Sequence, residues 1–203
     1  MTQLMVKKWH VKCTFIEPLL GTVSKNKAVY ATYIASLAEK AVTESGEPPD
    51  IEDEIASVTE REESGWTGFH EDPDGAYLYD YQVKGFLKEA GNVLKDIVKV
   101  KNLRSKIDSY TFVRPRKIRL ASVGEPLERP LRAQTAQGPR VTLVRSDTVA
   151  AGSTIEFDIV ALPHKELDGD LLHTLLSYGE MKGLGQWRNG GFGSFTFEVE
   201  ETL

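Results

Sequence analysis

The sequence predicts an α+β fold with the element order β-α-β-β-α-β. Alternating apolar and polar residues near both ends of the chain are typical of strands with one buried face. Apolar residues at intervals of three and four are typical of amphipathic helices between those strands. With 203 residues, 40% of them hydrophobic, the chain is long enough to bury a proper core, and its length fits one domain that carries an insertion.

The first part of the chain is predicted to form a strand and a helix. Apolar residues alternate with polar ones from Trp9 to Phe15, and this strand ends before Pro18. After a loop over 19–26, apolar residues at helical spacing over 29–41 predict a helix, which ends at the Gly and Pro residues of 45–49.

The next segment is strongly acidic, and we interpret residues 44–79 as a peripheral insertion within a single domain spanning 1–203. From Glu44 to Asp80 there are 13 acidic residues and one base. This segment carries −12, which leaves +7 for the rest of a chain whose net charge is −5. A short acidic helix capped by Asp50 and a loop over 64–75 are predicted within it.

The second half supplies the remaining elements. A helix over 83–97, which Asp80 could cap and Gly91 weakens, precedes a strand over 110–121 and a Pro- and Gly-rich connection over 124–139. Then follow a short strand over 141–145, a strand over 155–159, a helix over 167–176 and a final strand over 195–199. With the insertion and the short strand set aside, this order is the ferredoxin-like plan, the scaffold of many unrelated functions.

A basic stretch spans Asn92 to Arg119, where nine bases stand against two acids. A stretch of this density attracts phosphate, whereas the acidic segment would be excluded from the same surface. The alternative is that both are ordinary solvated faces.

Glycines at fixed offsets distinguish the segment Gly183 to Gly193, which has the form G-φ-G-x5-G-φ-G. Glycine permits positive φ and a close approach of another backbone, and the polar residues between the glycines supply hydrogen-bond donors. Such a loop suits a phosphate-sugar backbone, although a plain helix-to-strand connection is the alternative.

A glycine-rich loop of this form, between the second helix and fourth strand of a ferredoxin-like fold, resembles the signature of the RAMP superfamily, the RNA-binding proteins of CRISPR systems. Gly183, Leu184, Gly185, Gly191, Phe192 and Gly193 match it position by position. Residues 81–90 resemble the turn and first helix that the CRISPR backbone subunits place against RNA, and 148–157 resemble the strand before their second helix. The resemblance covers most of the chain outside 44–79 and includes an RRM-like core.

By this resemblance and by charge, we expect an RNA-binding surface along the glycine loop, the start of the 83–97 helix and the basic strand. Its predicted residues are Lys182, Gly183, Gly185, Gln186, Trp187, Arg188, Asn189, Gly191, Gly193, Lys84, Arg114, Arg116, Lys117 and Arg119.

The open face of the sheet is predicted to be a poor site for RNA. In the strand order 4-1-3-2, the first strand exposes Lys8, His10 and Lys12 between carboxylates of its two neighbours. Aromatic residues that could stack on bases are missing from these rows.

Catalysis is the alternative that the resemblance leaves open, because some RAMP proteins are metal-independent endoribonucleases that use a histidine. His10 is the weak candidate for such a role, and a surface histidine without chemistry is the simpler interpretation. No catalytic residue, metal site or cofactor is therefore expected. A third interpretation is a structural or partner-binding module that mimics a CRISPR subunit.

The expected partners are single-stranded or guide-like RNA, further copies of the chain along that RNA, or CRISPR-type proteins, and the chain could belong to a phage. No apolar run reaches the roughly 18 residues that span a membrane, and an apolar signal segment is missing from the first residues. The single cysteine, Cys13, excludes an internal disulfide. We therefore expect a cytoplasmic protein without a membrane partner.

Overall fold

The computed structural model describes residues 5–32, 65–135 and 138–202. The chain divides into two compact units. The first unit comprises residues 1–19, 77–121 and 149–203, and the second comprises 20–76 and 122–148. Strands and helices are mixed along the described chain, so the predicted α+β class is confirmed.

The first unit contains a four-stranded sheet in the order β12-β1-β11-β7. Its strands are β1 (Lys7–Phe15), β7 (Thr111–Arg114), β11 (Thr154–Ala161) and β12 (Phe195–Thr202). Three helices belong to the same unit: α1 (Asp80–Leu94), α2 (Leu103–Tyr110) and α3 (Gly169–Lys182). All strand pairs within this sheet are antiparallel.

Strand β1 has the predicted two-faced pattern. Trp9, Val11, Cys13 and Phe15 are all buried, and burial raises the pKa of the Cys13 thiol far above its usual range. The other face carries Lys8 and His10, with β11 and β12 on either side as expected.

Helix α1 is shorter than predicted because its apolar stripe ends early. Val93 is 50% and Ile97 is 72% exposed, and the helix ends at Leu94. Tyr79, rather than Asp80, is the N-cap residue. A Cβ on Gly91 would lie 2.5 Å from Cδ1 of Ile107, so this glycine allows α1 to pack closely against α2, a helix that the sequence analysis missed.

The predicted strand over 110–121 is two strands. Strand β7 lies in the four-stranded sheet, whereas β8 (Lys117–Arg119) pairs with β6 (Gly75–Tyr79). Pro115 separates them, and proline has no backbone N–H with which to continue a ladder.

The second unit contains a five-stranded sheet, where three predicted loops proved wrong. Its strands are β2 (Leu19–Leu20), β3 (Val23–Ser24), β4 (Trp66–Gly68), β9 (Val123–Thr135) and β10 (Gly138–Val149). A short strand, β5 (His70–Asp72), follows β4. The predicted loops over 19–26 and 64–75 therefore contain strands. The predicted connection over 124–139 contains most of β9 and the first residues of β10, and these two strands pair with each other.

Pro126 and Pro130 made the β9 segment resemble a connection. Strand β9 lies off the main path of the sheet and pairs with β10. Proline is tolerated on edge strands, because its missing N–H costs nothing on the side of the strand that forms no ladder hydrogen bonds.

Residues 27–32 are helical, as predicted for the start of the 29–41 helix. The rest of that helix and the acidic helix after Asp50 lie outside the described residues. The assignment of 44–79 as an insertion therefore stays a prediction. Within the described ranges, no helix is both long and apolar enough to span a bilayer.

His70 in the second unit gives a testable pH dependence. It is 1% exposed, and its Nε2 lies 3.3 Å from the Tyr30 hydroxyl oxygen. Burial lowers the pKa of His70 to about 4, from 6.5 for the exposed group. At pH values between 6.5 and about 4, the unfolded chain therefore binds a proton at His70 and the folded chain does not. The free energy of unfolding consequently falls as the pH falls.

We expect a loss of about 2 kcal/mol from this one group between pH 7 and pH 5. Urea unfolding of the wild-type protein and of His70→Gln at both pH values measures it, since the variant should lack this component. Equal pH dependence in the two proteins would contradict the assignment.

Candidate nucleic-acid interface

The glycine-rich loop begins where α3 ends. Gly183, at φ +70°, is the C-cap residue of α3, and Gly185, Gly191 and Gly193 also have positive φ, at +79°, +88° and +70°. Trp187 lies in the left-handed region as well, just before a short 3-10 turn over Arg188–Gly190. Only glycine adopts this region without strain, so the spacing in the sequence reflects a backbone requirement.

The two ends of the loop are joined through backbone contacts. A Cβ on Gly183 would lie 2.3 Å from the carbonyl carbon of Gly193, and one on Gly193 would lie 2.0 Å from the carbonyl oxygen of Leu184. The Leu184 N–H donates to the Gly193 oxygen at 2.9 Å, and the Gly193 N–H donates to Pro18 at 3.0 Å. The close approach predicted for these glycines is thus within the protein itself.

Arg188, the central base of the loop, binds α1. Its Nη1 donates to Oε2 of Glu89 at 2.7 Å, and its Nε donates to the Gly183 oxygen at 2.9 Å. The side chain is 22% exposed. The guanidinium therefore fastens the loop to the helix, and any contact of Arg188 with RNA stays a prediction.

The other polar residues of the loop are also engaged. The Lys182 ammonium donates to the side-chain oxygen of Asn189. The rings of Trp187 and Phe192 meet edge to face at 6.2 Å. Gln186 is half-buried. The loop is an ordered structural unit whose tip, at Asn189 and Gly190, is exposed.

Strand β8 presents its bases to solvent beside the start of α1. Pairing with β6 places Lys117 opposite Tyr79 and Arg119 opposite Tyr77, while the Asp80 N–H donates to the Arg116 oxygen at 2.9 Å. Lys117 Nζ lies 4.7 Å from the ring centre of Tyr77. The ring of Tyr79 lies 5.5 Å from the Arg116 guanidinium and the ring of Tyr77 lies 5.4 Å from that of Arg119. Cation–π contacts of this kind orient long basic side chains without neutralising them.

Lys84 has a structural partner of its own. Its ammonium donates to the Thr111 oxygen and, at 3.0 Å, to the Asp108 oxygen at the C-terminal end of α2. It also lies 5.4 Å from the ring centre of Phe112. Burial lowers the pKa of Lys84, with the nearby Asp108 carboxylate acting in the opposite direction. Lys84 is thus a half-buried cation that positions α2 and β7 against α1.

Five of the predicted bases are brought together in the first unit. We call this group the basic patch: Lys84, Arg114, Arg116, Lys117 and Arg119. The last four are exposed. Arg188 binds Glu89, which lies about 140° around α1 from Lys84 by helical geometry. The structure therefore joins the basic strand to the start of α1 and places the glycine loop on another flank of that helix.

Two exposed aromatic residues beside the basic patch were missed. Tyr81 is 46% exposed and Phe112 is 41% exposed. With Asp80, Lys84, Val113 and Arg114 they line a cleft of about 170 Å³. The alternation of Tyr77, Tyr79 and Tyr81 and the position of Phe112 next to the bases were the available signals, but the search for stacking residues had covered only the central strands.

His10 lies where the sequence predicted, on the open face of the sheet. Its Nδ1 is 3.0 Å from Oδ1 of Asp158, and its Nε2 is 3.8 Å from Oε2 of Glu156. The hydrogen bond from His10, followed by that from Lys8, lowers the pKa of Asp158. This row is an exposed ion-paired network. In the part of the chain that the structure describes, His, Cys, Asp and Glu form no cluster suited to a metal ion.

Comparisons with known proteins identify the fold alone. The sequence matches no protein-family model and no curated protein. A solved structure does match: a chain in the cryo-EM structure of the Type III-B Cmr-beta bound to cognate target RNA, with a TM-score of 0.55 and 12% sequence identity. The match covers 97% of this chain and 61% of that chain. At this identity the similarity establishes a shared fold.

Proposed function

We propose that this protein binds RNA through the backbone, as a RAMP-type protein built on a ferredoxin-like domain. The observation that supports this most directly is the basic patch, in which four exposed cations and Lys84 surround the start of α1. Phosphate neutralisation by clustered Lys and Arg supplies most of sequence-independent RNA affinity. A fold shared with a chain of an RNA-bound Cmr complex supports the same proposal.

The glycine loop has two parts in this proposal. Its glycines and Arg188 hold the backbone in shape against Glu89, and the exposed tip at Asn189 reaches the RNA. Single-stranded or guide-like RNA is the proposed ligand, and CRISPR-type proteins or further copies of the chain are the proposed partners. Because Arg188 also fastens the loop, its replacement would mix structural and binding effects, and the basic patch gives the cleaner test.

The test is the salt dependence of RNA binding. A variant with alanine at Arg114, Arg116, Lys117 and Arg119 removes four exposed cations. Circular dichroism checks that it folds, because three of these side chains contact the buried rings of Tyr77 and Tyr79. For single-stranded RNA, the slope of log K against log salt should become shallower by about 0.7 for each lost phosphate contact, hence by about 3 in total. Fluorescence anisotropy with a labelled single-stranded RNA, recorded at salt concentrations from about 50 to 300 mM, measures this slope.

A matched variant controls for net charge. Alanine at Lys7, Lys12, Lys95 and Lys165 also removes four positive charges from the first unit, but none of these belongs to the basic patch. We expect its slope to stay close to that of the wild type. Equal flattening in both variants would mean that overall charge matters and not the patch, and undetectable RNA binding by the wild type at low salt would refute the proposed function.

A further inference from the structure

The cleft between the start of α1 and strand β7 combines features that differ from those of a phosphate site. Its walls include the rings of Tyr81 and Phe112, each close to half exposed. Tyr81 in turn stacks on the buried Tyr79, with ring centres 5.3 Å apart and planes at 18°. Phe112 lies on the exposed face of β7, with Lys84 Nζ 5.4 Å from its ring centre. Each ring thus has a neighbour within the protein while part of it faces solvent.

Charge is placed asymmetrically around these rings. Arg114 lies on the cleft and belongs to the basic patch, so a polyanion bound along the patch passes the cleft entrance. Asp80 and Lys84 line the interior. Burial raises the pKa of the Asp80 carboxyl and lowers that of the Lys84 ammonium. A phosphate placed in this half-buried interior would lose part of the hydration of its charge, and this loss is unfavourable.

The size of the cleft selects a small planar group. Pockets for drug-sized ligands usually enclose roughly 300–1,000 Å³, whereas this cleft encloses about 170 Å³. Such a space is comparable with the volume of one aromatic base. Aromatic rings next to a basic track are the arrangement by which proteins hold single-stranded nucleic acid without reading its sequence.

We propose that this cleft is a subsite for one unstacked RNA base, which lies against the rings of Tyr81 and Phe112 while its phosphates lie on the basic patch. The Asp80 carboxyl and the Lys84 ammonium are placed to hydrogen-bond the edge of that base. This inference rests on the proposed function. It adds a base-dependent component of affinity to the backbone component.

The experiment compares a single-stranded uridine oligonucleotide with an oligonucleotide of equal length whose bases are removed. Both carry the same phosphates, so only base contacts differ. Loss of base–aromatic stacking costs roughly 1–3 kcal/mol per base, or about 5- to 150-fold in affinity. We expect the wild type to prefer the base-bearing RNA within that range, and a Tyr81→Leu/Phe112→Leu variant to lose most of the preference while its salt slope is unchanged.

Further variants test the geometry. Tyr81→Phe keeps the ring and should bind the base-bearing RNA more tightly than Tyr81→Leu. Tyr110→Leu removes a different exposed aromatic side chain, one that contacts His164 and does not line the cleft, and it should retain the preference. Circular dichroism of each variant checks folding.

The outcomes separate the two proposals. If the wild type binds neither RNA, the proposed function and the base subsite are both refuted. If it binds both RNAs equally well with a steep salt slope, the backbone proposal stands and the base subsite is refuted. A preference that survives in Tyr81→Leu/Phe112→Leu would place the base contact elsewhere and would also refute the subsite.

Discussion

Replacing Gly193 with alanine is expected to lower the free energy of unfolding by about 3 kcal/mol or more. The new Cβ would lie 2.0 Å from the Leu184 oxygen, far inside contact distance. Overpacking of this kind costs roughly 1–3 kcal/mol, and a φ of +70° adds about 1–2 kcal/mol for a residue with a Cβ. The backbone cannot move aside easily, because the Gly193 N–H is bonded to Pro18 and its oxygen to Leu184.

Gly191 provides the matched control in the same loop. Its φ is +88°, but a Cβ there would meet nothing within 4 Å. Gly191→Ala should therefore cost only the strain of positive φ, about 1–2 kcal/mol. Urea unfolding of both variants measures the difference, and equal losses would contradict the close contact between the two ends of the loop.

The glycine loop illustrates what a local pattern can predict. The offsets of Gly183, Gly185, Gly191 and Gly193 were enough to predict positive φ and a close backbone approach, because both depend on the absence of a side chain. The partner of Arg188 could not be predicted, since Glu89 is 99 residues away in the sequence. Whether a base binds RNA or a carboxylate of the same protein depends on packing that spacing does not report.

The strands likewise were predicted where a local pattern determines them and missed where pairing with another segment does. The two-faced pattern of β1 predicted both its burial and its ion-paired open face. Strands β9 and β10 were only partly found, because Pro126 and Pro130 are locally unfavourable and the pairing of the two strands outweighs that preference. Helix α2 was missed because eight residues with two buried side chains give too short a periodic signal.

The sequence analysis predicted the bases of the candidate site but missed the cleft beside them. Arg114, Arg116 and Lys117 stand out in the sequence because charge is additive along a chain. The cleft depends on Tyr81 and Phe112, which are 31 positions apart and meet only once α1 packs beside β7. Sequence patterns thus located the basic patch, while the cleft beside it could be found only in the folded chain.

The second large effect is expected in the second unit, where Lys25 and Asp147 form a buried ion pair. Lys25 Nζ lies 2.5 Å from Oδ2 of Asp147, and each side chain is 6% exposed. Oδ1 of Asp147 accepts a hydrogen bond from Nε1 of Trp66 at 2.8 Å. Gly68 makes room for the pair, since a Cβ there would lie 2.3 Å from Cε of Lys25. The Asp147 carboxylate thus faces the Lys25 ammonium through one oxygen and accepts from the Trp66 indole through the other.

Asp147→Ala should lower the free energy of unfolding by about 3–5 kcal/mol, because it leaves the Lys25 ammonium buried without a counter-charge. Replacing both residues, as Lys25→Met/Asp147→Leu, removes the two charges together and should cost less than Asp147→Ala alone, since a buried pair contributes little beyond offsetting its own desolvation. Urea unfolding of Asp147→Ala measures the first loss, and urea unfolding of Lys25→Met, Asp147→Leu and the double variant gives the coupling energy of the pair. If the losses of unfolding free energy in the single variants simply add in the double variant, Lys25 and Asp147 do not interact. A double variant more stable than Asp147→Ala would show that the cost of the single change comes from the unpaired ammonium.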